Sequence, residues 1–189
     1  MKTGLEAMLS PRSVAIVGAT PEPGKLGHDL SVNLIQGGYP GPVYPINPKH
    51  AEVFGRTAYP SLEMIGRPVD LLLSAVGAEA TIEVARACGR HGVKPMVAYA
   101  ASFREAGGDG SRLERELAAI AAEQHLTILG PNTPGLINGH LPLNATFFPF
   151  ATKPGKMAIA TQSGGVGGAI YKKALDEDLS IGYWVGLGN

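Results

Sequence analysis

The sequence predicts an α/β protein: a Rossmann-like, doubly wound parallel sheet, followed by the start of a second, flavodoxin-like α/β domain. Three observations predict it. Short apolar runs rich in β-branched residues alternate with stretches of helical period, the pattern of strands joined by crossover helices. Glycine and proline, 26 and 15 of the 189 residues, cluster between those segments and form no low-complexity tract, as many short loops require. A glycine-rich turn follows the first apolar run and opens a helix, the setting of a phosphate-binding loop.

The first strand is Ser13-Val14-Ala15-Ile16-Val17, and a helix over 26–36 follows its turn, closed by Gly37-Gly38. The second strand, Val43-Tyr44-Pro45-Ile46, carries a proline, which suits a strand end or a sheet edge. A short helix is expected over 61–65. The third strand, Val69-Asp70-Leu71-Leu72-Leu73-Ser74, is nearly all apolar, as a strand buried on both faces should be. A helix over 78–91, a fourth strand at 95–99, an amphipathic helix over 110–124 and a fifth strand at 127–129 complete the first unit. The stretch 138–152 is less regular. The pattern then restarts: a strand at 156–161, a glycine turn at 162–165, a helix over 166–175 and a strand at 181–187. A lone β-α-β unit of this size cannot bury both faces of its strands. Either these strands join the first sheet or a second domain is cut short. The expected division is a first domain over 1–150 and a truncated second domain over 151–189.

Composition excludes several classes. Hydrophobic residues make up 44% and charged residues 17%, a globular balance. Net charge is zero and basic residues are scattered, so no nucleic-acid surface is expected. Cys88 is the single cysteine, so neither an intrachain disulfide nor a cysteine metal cluster can form. Its surroundings of small residues suit a packed thiol. No apolar run reaches the ~20 residues of a membrane span. Met1-Lys2-Thr3-Gly4-Leu5-Glu6 has no apolar core after its lysine and is no secretory signal. A cytoplasmic protein without membrane contact or a metal site is expected.

The first glycine turn reads Gly18-Ala19-Thr20-Pro21-Glu22-Pro23-Gly24-Lys25-Leu26-Gly27. Gly18 allows a tight turn and Gly27 a close approach of helix to strand, while two prolines stiffen the loop. The spacing is not G-x-G-x-x-G, and an ordinary strand-to-helix loop could look similar. Enzymes that use NAD place an acid at the end of the second strand to hold the ribose hydroxyls. Here the residues are Asn47-Pro48-Lys49-His50, with a lysine and no carboxylate. A lysine suits a phosphorylated ribose, carried by both NADP and coenzyme A. At 162–165, Gln162-Ser163-Gly164-Gly165 again precedes a helix, so its backbone N–H groups and the Ser163 hydroxyl could hold a phosphoryl group. Ser163 could equally be a simple N-cap.

Four ordered segments carry a resemblance: Val14-Ala15-Ile16-Val17-Gly18-Ala19-Thr20, Tyr44-Pro45-Ile46-Asn47-Pro48-Lys49, Gly130-Pro131-Asn132-Thr133-Pro134-Gly135-Leu136-Ile137-Asn138 and Thr161-Gln162-Ser163-Gly164-Gly165. Together they resemble the nucleoside-diphosphate-forming acyl-CoA synthetases, the superfamily of ADP-forming acetyl-CoA synthetase and the succinyl-CoA synthetase alpha subunit, over nearly the whole chain. The resemblance implies that the first domain binds coenzyme A. The turn bearing Gly18, Ala19, Thr20, Gly24, Lys25 and Gly27 would hold part of the phosphate chain, and Asn47 with Lys49 would meet phosphates near the adenosine end. Ser74 and Val76 after the third strand, and Ala101 and Ser102 after the fourth, would line the CoA path. Similar proteins commonly have glycine before the phenylalanine of the fourth loop, where this chain has Ser102 before Phe103. Asn132 and Ser163 are the candidate catalytic residues, Asn132 to orient an acyl or phosphate group. Gln162, Ser163, Gly164 and Gly165 would bind phosphate. Thr133 stands where many relatives have cysteine, which excludes cysteine chemistry there.

The resemblance also implies a phosphohistidine relay between an acyl phosphate and a nucleoside diphosphate. None of His28, His50, His91, His125 and His140 sits in a segment resembling that histidine loop. His28 reads as a helix-surface residue, and His91 and His125 end helices, where a cation favours the dipole. The nucleotide-grasping part is also missing, so ATP, ADP and Mg belong to a complete enzyme, and a grasp subunit or domain, an oligomer, and a small carboxylate or acyl-CoA substrate are the implied partners. Three readings stand: the CoA-binding part of an acid–CoA ligase, a non-catalytic CoA-binding regulatory module, and an NADP-dependent reductase. The last lacks a Tyr-x-x-x-Lys pair, since Tyr171-Lys172-Lys173 has the wrong spacing.

Overall fold

The computed structural model describes residues 4–189. In chain order its first elements are α1 (Gly4–Leu9), β1 (Val14–Val17), α2 (Leu26–Ser31) and β2 (Val43–Ile46). A hairpin of β3 (Glu52–Val53) and β4 (Arg56–Thr57) precedes β5 (Leu71–Ser74), α3 (Ala78–Arg90) and β6 (Pro95–Ala98). Then come α4 (Gly110–Gln124), β7 (Thr127–Leu129), β8 (Gly135–Asn138) and β9 (Leu143–Thr146). The last three elements are β10 (Met157–Thr161), α5 (Gly164–Asp176) and β11 (Ile181–Gly186). Among the described residues, no helix is long and apolar enough to cross a membrane.

The central sheet is parallel and ordered β2-β1-β5-β6-β7. Its strands alternate between two cores. Val14, Ile16, Leu71, Leu73 and Val97 face one side, where α1, α2 and the turn after α2 pack. Ala15, Leu72, Met96 and Ala98 face the other, against Ile82, Ala85 and Cys88 of α3 and Leu113, Leu117 and Ile120 of α4. Successive side chains of a strand point to opposite faces, so a strand covered on both sides must be apolar at every position. That is why Leu71-Leu72-Leu73 is a continuous run, with each residue fully buried. β2 is an edge strand, where Pro45 costs no ladder bond on its outer side. α3 and α4 lie side by side, joined by an Arg86–Glu116 ion pair at 2.8 Å.

The expected helix over 26–36 changes character midway. It is α-helical to Ser31 and π-helical over Val32–Gln36. The Ser31 hydroxyl donates to the Gly27 carbonyl at 2.6 Å, back-bonding that loosens a helix at that turn. The expected helix at 61–65 is a single 3-10 turn at Glu63–Ile65.

The stretch 138–152 is more ordered than its sequence suggested, and the later strands neither join the first sheet nor stand alone. β10, β11, β8 and β9 form a second sheet in that order, with β10 and β11 parallel and the rest antiparallel. The sheet draws strands from both sides of residue 150, so the division into 1–150 and 151–189 does not coincide with a division between sheets. Leu136, Leu143 and Ala145 sit in the first core, while Ile137 packs with Tyr171, Ile181 and Trp184 in a third cluster. Polar bolts fix the seam: Tyr99 Oη donates to the Ala145 carbonyl at 2.6 Å, Asn138 Nδ2 to the Leu9 carbonyl at 2.8 Å and Asn33 Nδ2 to the Thr146 carbonyl at 2.7 Å.

Cys88 is fully buried on α3, and burial pushes its thiol up to about 12. A thiol without thiolate character is inert. The native chain is expected to resist a maleimide or disulfide reagent at pH 7–8 and to label at one site in denaturant. Rapid stoichiometric labelling without denaturant would show that α3 opens readily from the sheet.

Candidate functional site

Strand order reverses at β1, with β2 on one side and β5 on the other. Open α/β sheets bind ligands beyond the carboxyl ends of the strands at such a switch point. Here Gly18 follows β1, Asn47 follows β2 and Ala75-Val76 follow β5. Gly18 has φ +87°, and a Cβ on it would lie 2.8 Å from the Ala75 carbonyl oxygen, so glycine lets the two loops close together. Its N–H donates to the Ile46 carbonyl at 2.9 Å, which ties the turn to β2. A Cβ on Gly27 would strike the Gly18 carbonyl oxygen, so the start of α2 lies directly on the turn.

Between these loops is a cleft of about 330 Å³. Gly18, Thr20, Lys25, Asn47, Lys49 and Val76 line it, as do Glu22 and His50. Asn47 is the clamp. Its Nδ2 donates to the Ala19 carbonyl at 2.8 Å and its Oδ1 accepts the Lys49 N–H at 2.9 Å. The side chain thereby joins the two loops, and one amide N–H remains for a ligand. Lys49 is exposed, and its ammonium pairs with no carboxylate among the described residues. Lys25 pairs with Glu22 at 2.5 Å. That hydrogen bond and charge hold the Glu22 carboxyl below its usual range, with smaller help from His50 and Lys49 against a modest desolvation. Thr20 is buried. Its hydroxyl accepts the Glu22 N–H at 3.2 Å and lies 3.3 Å from His50 Nε2.

Other sequence-predicted residues fall outside this cleft. Ala19 is buried and offers its carbonyl to Asn47, and Gly24 is exposed on the turn. Ser74 is fully buried, its hydroxyl 3.0 Å from that of Thr81, whose Oγ1 donates to the Val76 carbonyl at 3.2 Å. Ser74 thus shapes the loop from beneath and offers nothing to a ligand. Ala101 and Ser102 are exposed on the loop after β6. Ser102 has φ +75°, a left-handed conformation that glycine tolerates and serine resists. Glu105 secures it, accepting the N–H groups of Ser102 at 2.6 Å and Phe103 at 3.2 Å.

The 130–138 loop joins the two sheets. It begins with a cis Gly130–Pro131 bond. Asn132 is exposed, its N–H donates to the Ala100 carbonyl at 2.9 Å, and its Nδ2 donates to Asn189 Oδ1 at 3.2 Å. Asn189 Nδ2 in turn donates to Glu105. Burial opposes ionisation of Glu105, but the bonds from Asn189 and from the N–H groups of Glu105, Phe103 and Ser102 outweigh it and lower its pKa. Thr133 is buried, its Oγ1 donating to the Gly186 carbonyl at 2.5 Å. Ser163 is the N-cap of α5, with its Oγ accepting the Val166 N–H at 3.3 Å. A Cβ on Gly164 would meet Pro134 at 3.1 Å, so the second glycine turn adjoins the 130–138 loop, and Gln162 and Gly165 are exposed beside it.

Two cleft residues were passed over in the sequence: Glu22, between two prolines, and His50, beside Lys49. Spacing alone carries no sign that they meet across the cleft. The other histidines serve locally. His28 contacts Asp29 at 3.0 Å and the Phe54 ring edge-on, His91 pairs with Glu63 at 3.1 Å and His125 caps α4.

Residues 12–139 match the family model described as a CoA binding domain. The chain is 39% identical over 187 residues to the alpha subunit of ADP-forming acetate–CoA ligase II of Pyrococcus furiosus, covering 98% of this chain and 40% of that relative. A crystal structure from Pyrococcus horikoshii superposes with a TM-score of 0.93 at 38% identity, covering 98% of this chain and 42% of that one. A dinucleotide-forming acetyl-coenzyme A synthetase of Candidatus Korarchaeum cryptofilum, solved with phosphate and ADP, gives 0.92 at 35% identity over 97% of this chain and 39% of that one. The chain therefore spans about two fifths of the length of these relatives.

Two substitutions test the local geometry. Ser102→Gly removes a left-handed cost of ~1–2 kcal/mol and loses part of it to backbone entropy. A gain of about 0.5–1 kcal/mol is expected, read as a melting temperature raised by a few degrees. A lower melting temperature would show that the serine side chain holds the loop. Gly27→Val forces the start of α2 off the Gly18 carbonyl and should cost about 3 kcal/mol or more in urea unfolding; a loss below about 1 kcal/mol would show that the turn yields freely.

Proposed function

The chain belongs to the CoA binding domain family, and from that premise we propose that it forms the CoA-binding part of an ADP-forming acid–CoA ligase. The whole enzyme would convert carboxylate, CoA and ATP to acyl-CoA, ADP and phosphate, in either direction. The relative named as an alpha subunit supports a division of labour, in which a grasp domain or a separate subunit supplies the site for ATP, ADP and Mg. On this reading 151–189 begins a second ligase domain, the acyl pocket forms only partly from these residues, and the phosphohistidine and the nucleotide are handled by other parts of the complete enzyme.

One observation carries the reading of a phosphorylated ribose, which the family match narrows to CoA: Lys49, exposed and paired with no carboxylate among the described residues, stands at the end of β2 where a carboxylate would select an unphosphorylated ribose. Thr20, Lys25, Lys49 and His50 converge on a cleft at the switch point, and phosphates are the groups such a set recognises. Gly18 keeps side-chain bulk out of the backbone's path. Asn47 fixes the backbone that carries Lys49. The loop bearing Ala101 and Ser102 would line the pantetheine arm, and the 130–138 loop with Asn132 would face the thiol end. Ser163 and the turn around it would hold a phosphoryl group at the start of α5, whose 13 residues give the N–H groups there a common direction. In each case these residues bind and orient. Bond-making belongs to the complete enzyme.

The test is calorimetric titration with CoA, dephospho-CoA and NADPH. Saturable CoA binding without a response to NADPH is expected. Lys49→Ala should weaken CoA roughly tenfold, the scale of one charge-assisted hydrogen bond, and dephospho-CoA by less than about twofold. Equal losses for both ligands would remove Lys49 from the ribose phosphate, and NADPH binding without CoA binding would overturn the ligase reading in favour of a reductase.

A further inference from the structure

Within the cleft, one lining residue is out of keeping with an anion site. Glu22 is the sole carboxylate among side chains that otherwise offer Lys25, Lys49, His50 and the Thr20 hydroxyl. Its Oε2 lies 2.5 Å from Lys25 Nζ and its Oε1 3.8 Å from His50 Nε2. Its backbone N–H is held by Thr20, so the residue is anchored while its carboxylate reaches for two cationic or protonatable groups. The side chain is 53% exposed and Lys25 is 58% exposed, so the carboxylate faces solvent on one side and its ion pair is open to exchange.

We propose that the Glu22 carboxylate stands in for a phosphate of CoA: it occupies the cationic cleft when the ligand is away and must be displaced when the ligand binds. This rests on the CoA reading above and deepens it. Two cations of one cleft, Lys25 and Lys49, would repel each other if it held no anion. Glu22 neutralises one of them while no phosphate is there. An incoming phosphate brings more charge and more acceptor oxygens than one carboxylate, so it wins the exchange but gives up part of its binding energy to release Glu22. Glu22 is thus an affinity-setting residue, which keeps CoA from binding as tightly as the cations alone would hold it.

The experiment is calorimetric titration of CoA into the wild type, Glu22→Gln and Glu22→Lys. An exposed ion pair is a weak competitor, so Glu22→Gln should bind CoA roughly two- to fivefold tighter at low salt. Glu22→Lys should bind tighter still, and both gains should shrink toward none near 1 M salt, where the screening length is about 3 Å. Equal melting temperatures would verify that the variants are folded. A wild type that binds CoA beside a Glu22→Gln variant with equal or weaker affinity overturns the stand-in alone and makes Glu22 a support for Lys25. A wild type that binds no CoA overturns the CoA reading itself, and the stand-in with it.

Discussion

Burial of both faces of β1, β5 and β6 is the constraint on which the rest of the molecule depends. Alternate side chains of three adjacent strands feed two separate cores. Apolar burial contributes about 25 cal/mol per Å², and only a sheet covered by helices on both sides collects it from every residue of a strand. Parallel strands then require crossovers, and crossovers put the turns after β1, β2 and β5 at one end of the sheet. The cleft between Gly18, Asn47 and Val76 is what remains there once the helices are packed. Its backbone geometry is set by the sheet, and its chemistry by the few side chains that the turns carry.

The first sheet was legible because its signal is redundant. Leu71-Leu72-Leu73 is apolar at every position, and α4 reads as an amphipathic helix over the same residues that form it. In the second sheet β10 and β11 were legible as strands, while β8 and β9 were hidden, β9 for a definable reason. β9 is Leu-Asn-Ala-Thr, and its polar residues are buried, with Asn144 at 3% and Thr146 at 0% exposure. They satisfy each other: Thr146 Oγ1 donates to Asn144 Oδ1 at 2.7 Å, while Asn144 Nδ2 donates to the Phe148 and Phe150 carbonyls. A strand whose buried polar groups are paired with each other and with carbonyls a few residues on has no hydropathy signature. α1 and the β3–β4 hairpin are too short for periodicity to register.

The site divides the same way. Gly18, Thr20, Asn47, Lys49 and Val76 lie together, drawn from three loops that the strand order joins. Glu22 and His50 meet there only because the turn after β1 folds back over the end of β2, a contact between residues 28 apart that no local pattern encodes. Asn47 reads in the sequence as a candidate ligand contact in place of an acid, and its structural part, bridging Ala19 to Lys49, shows only in three dimensions. Ser74 stands at a strand end, a place usually open to ligand, and here its hydroxyl turns inward to Thr81.

The seam at β8 has a consequence for how the protein comes apart. Leu136 belongs to the core of the first sheet and Ile137 to the cluster around Trp184, so one strand is a structural member of both halves. Neither half can lose β8 without opening an apolar face, and Asn138 reaches back 129 residues to the Leu9 carbonyl. Long-range closures of this kind form late and tie distant segments into one transition. The shared strand therefore favours unfolding of the two sheets as a single cooperative unit over the loss of one sheet at a time.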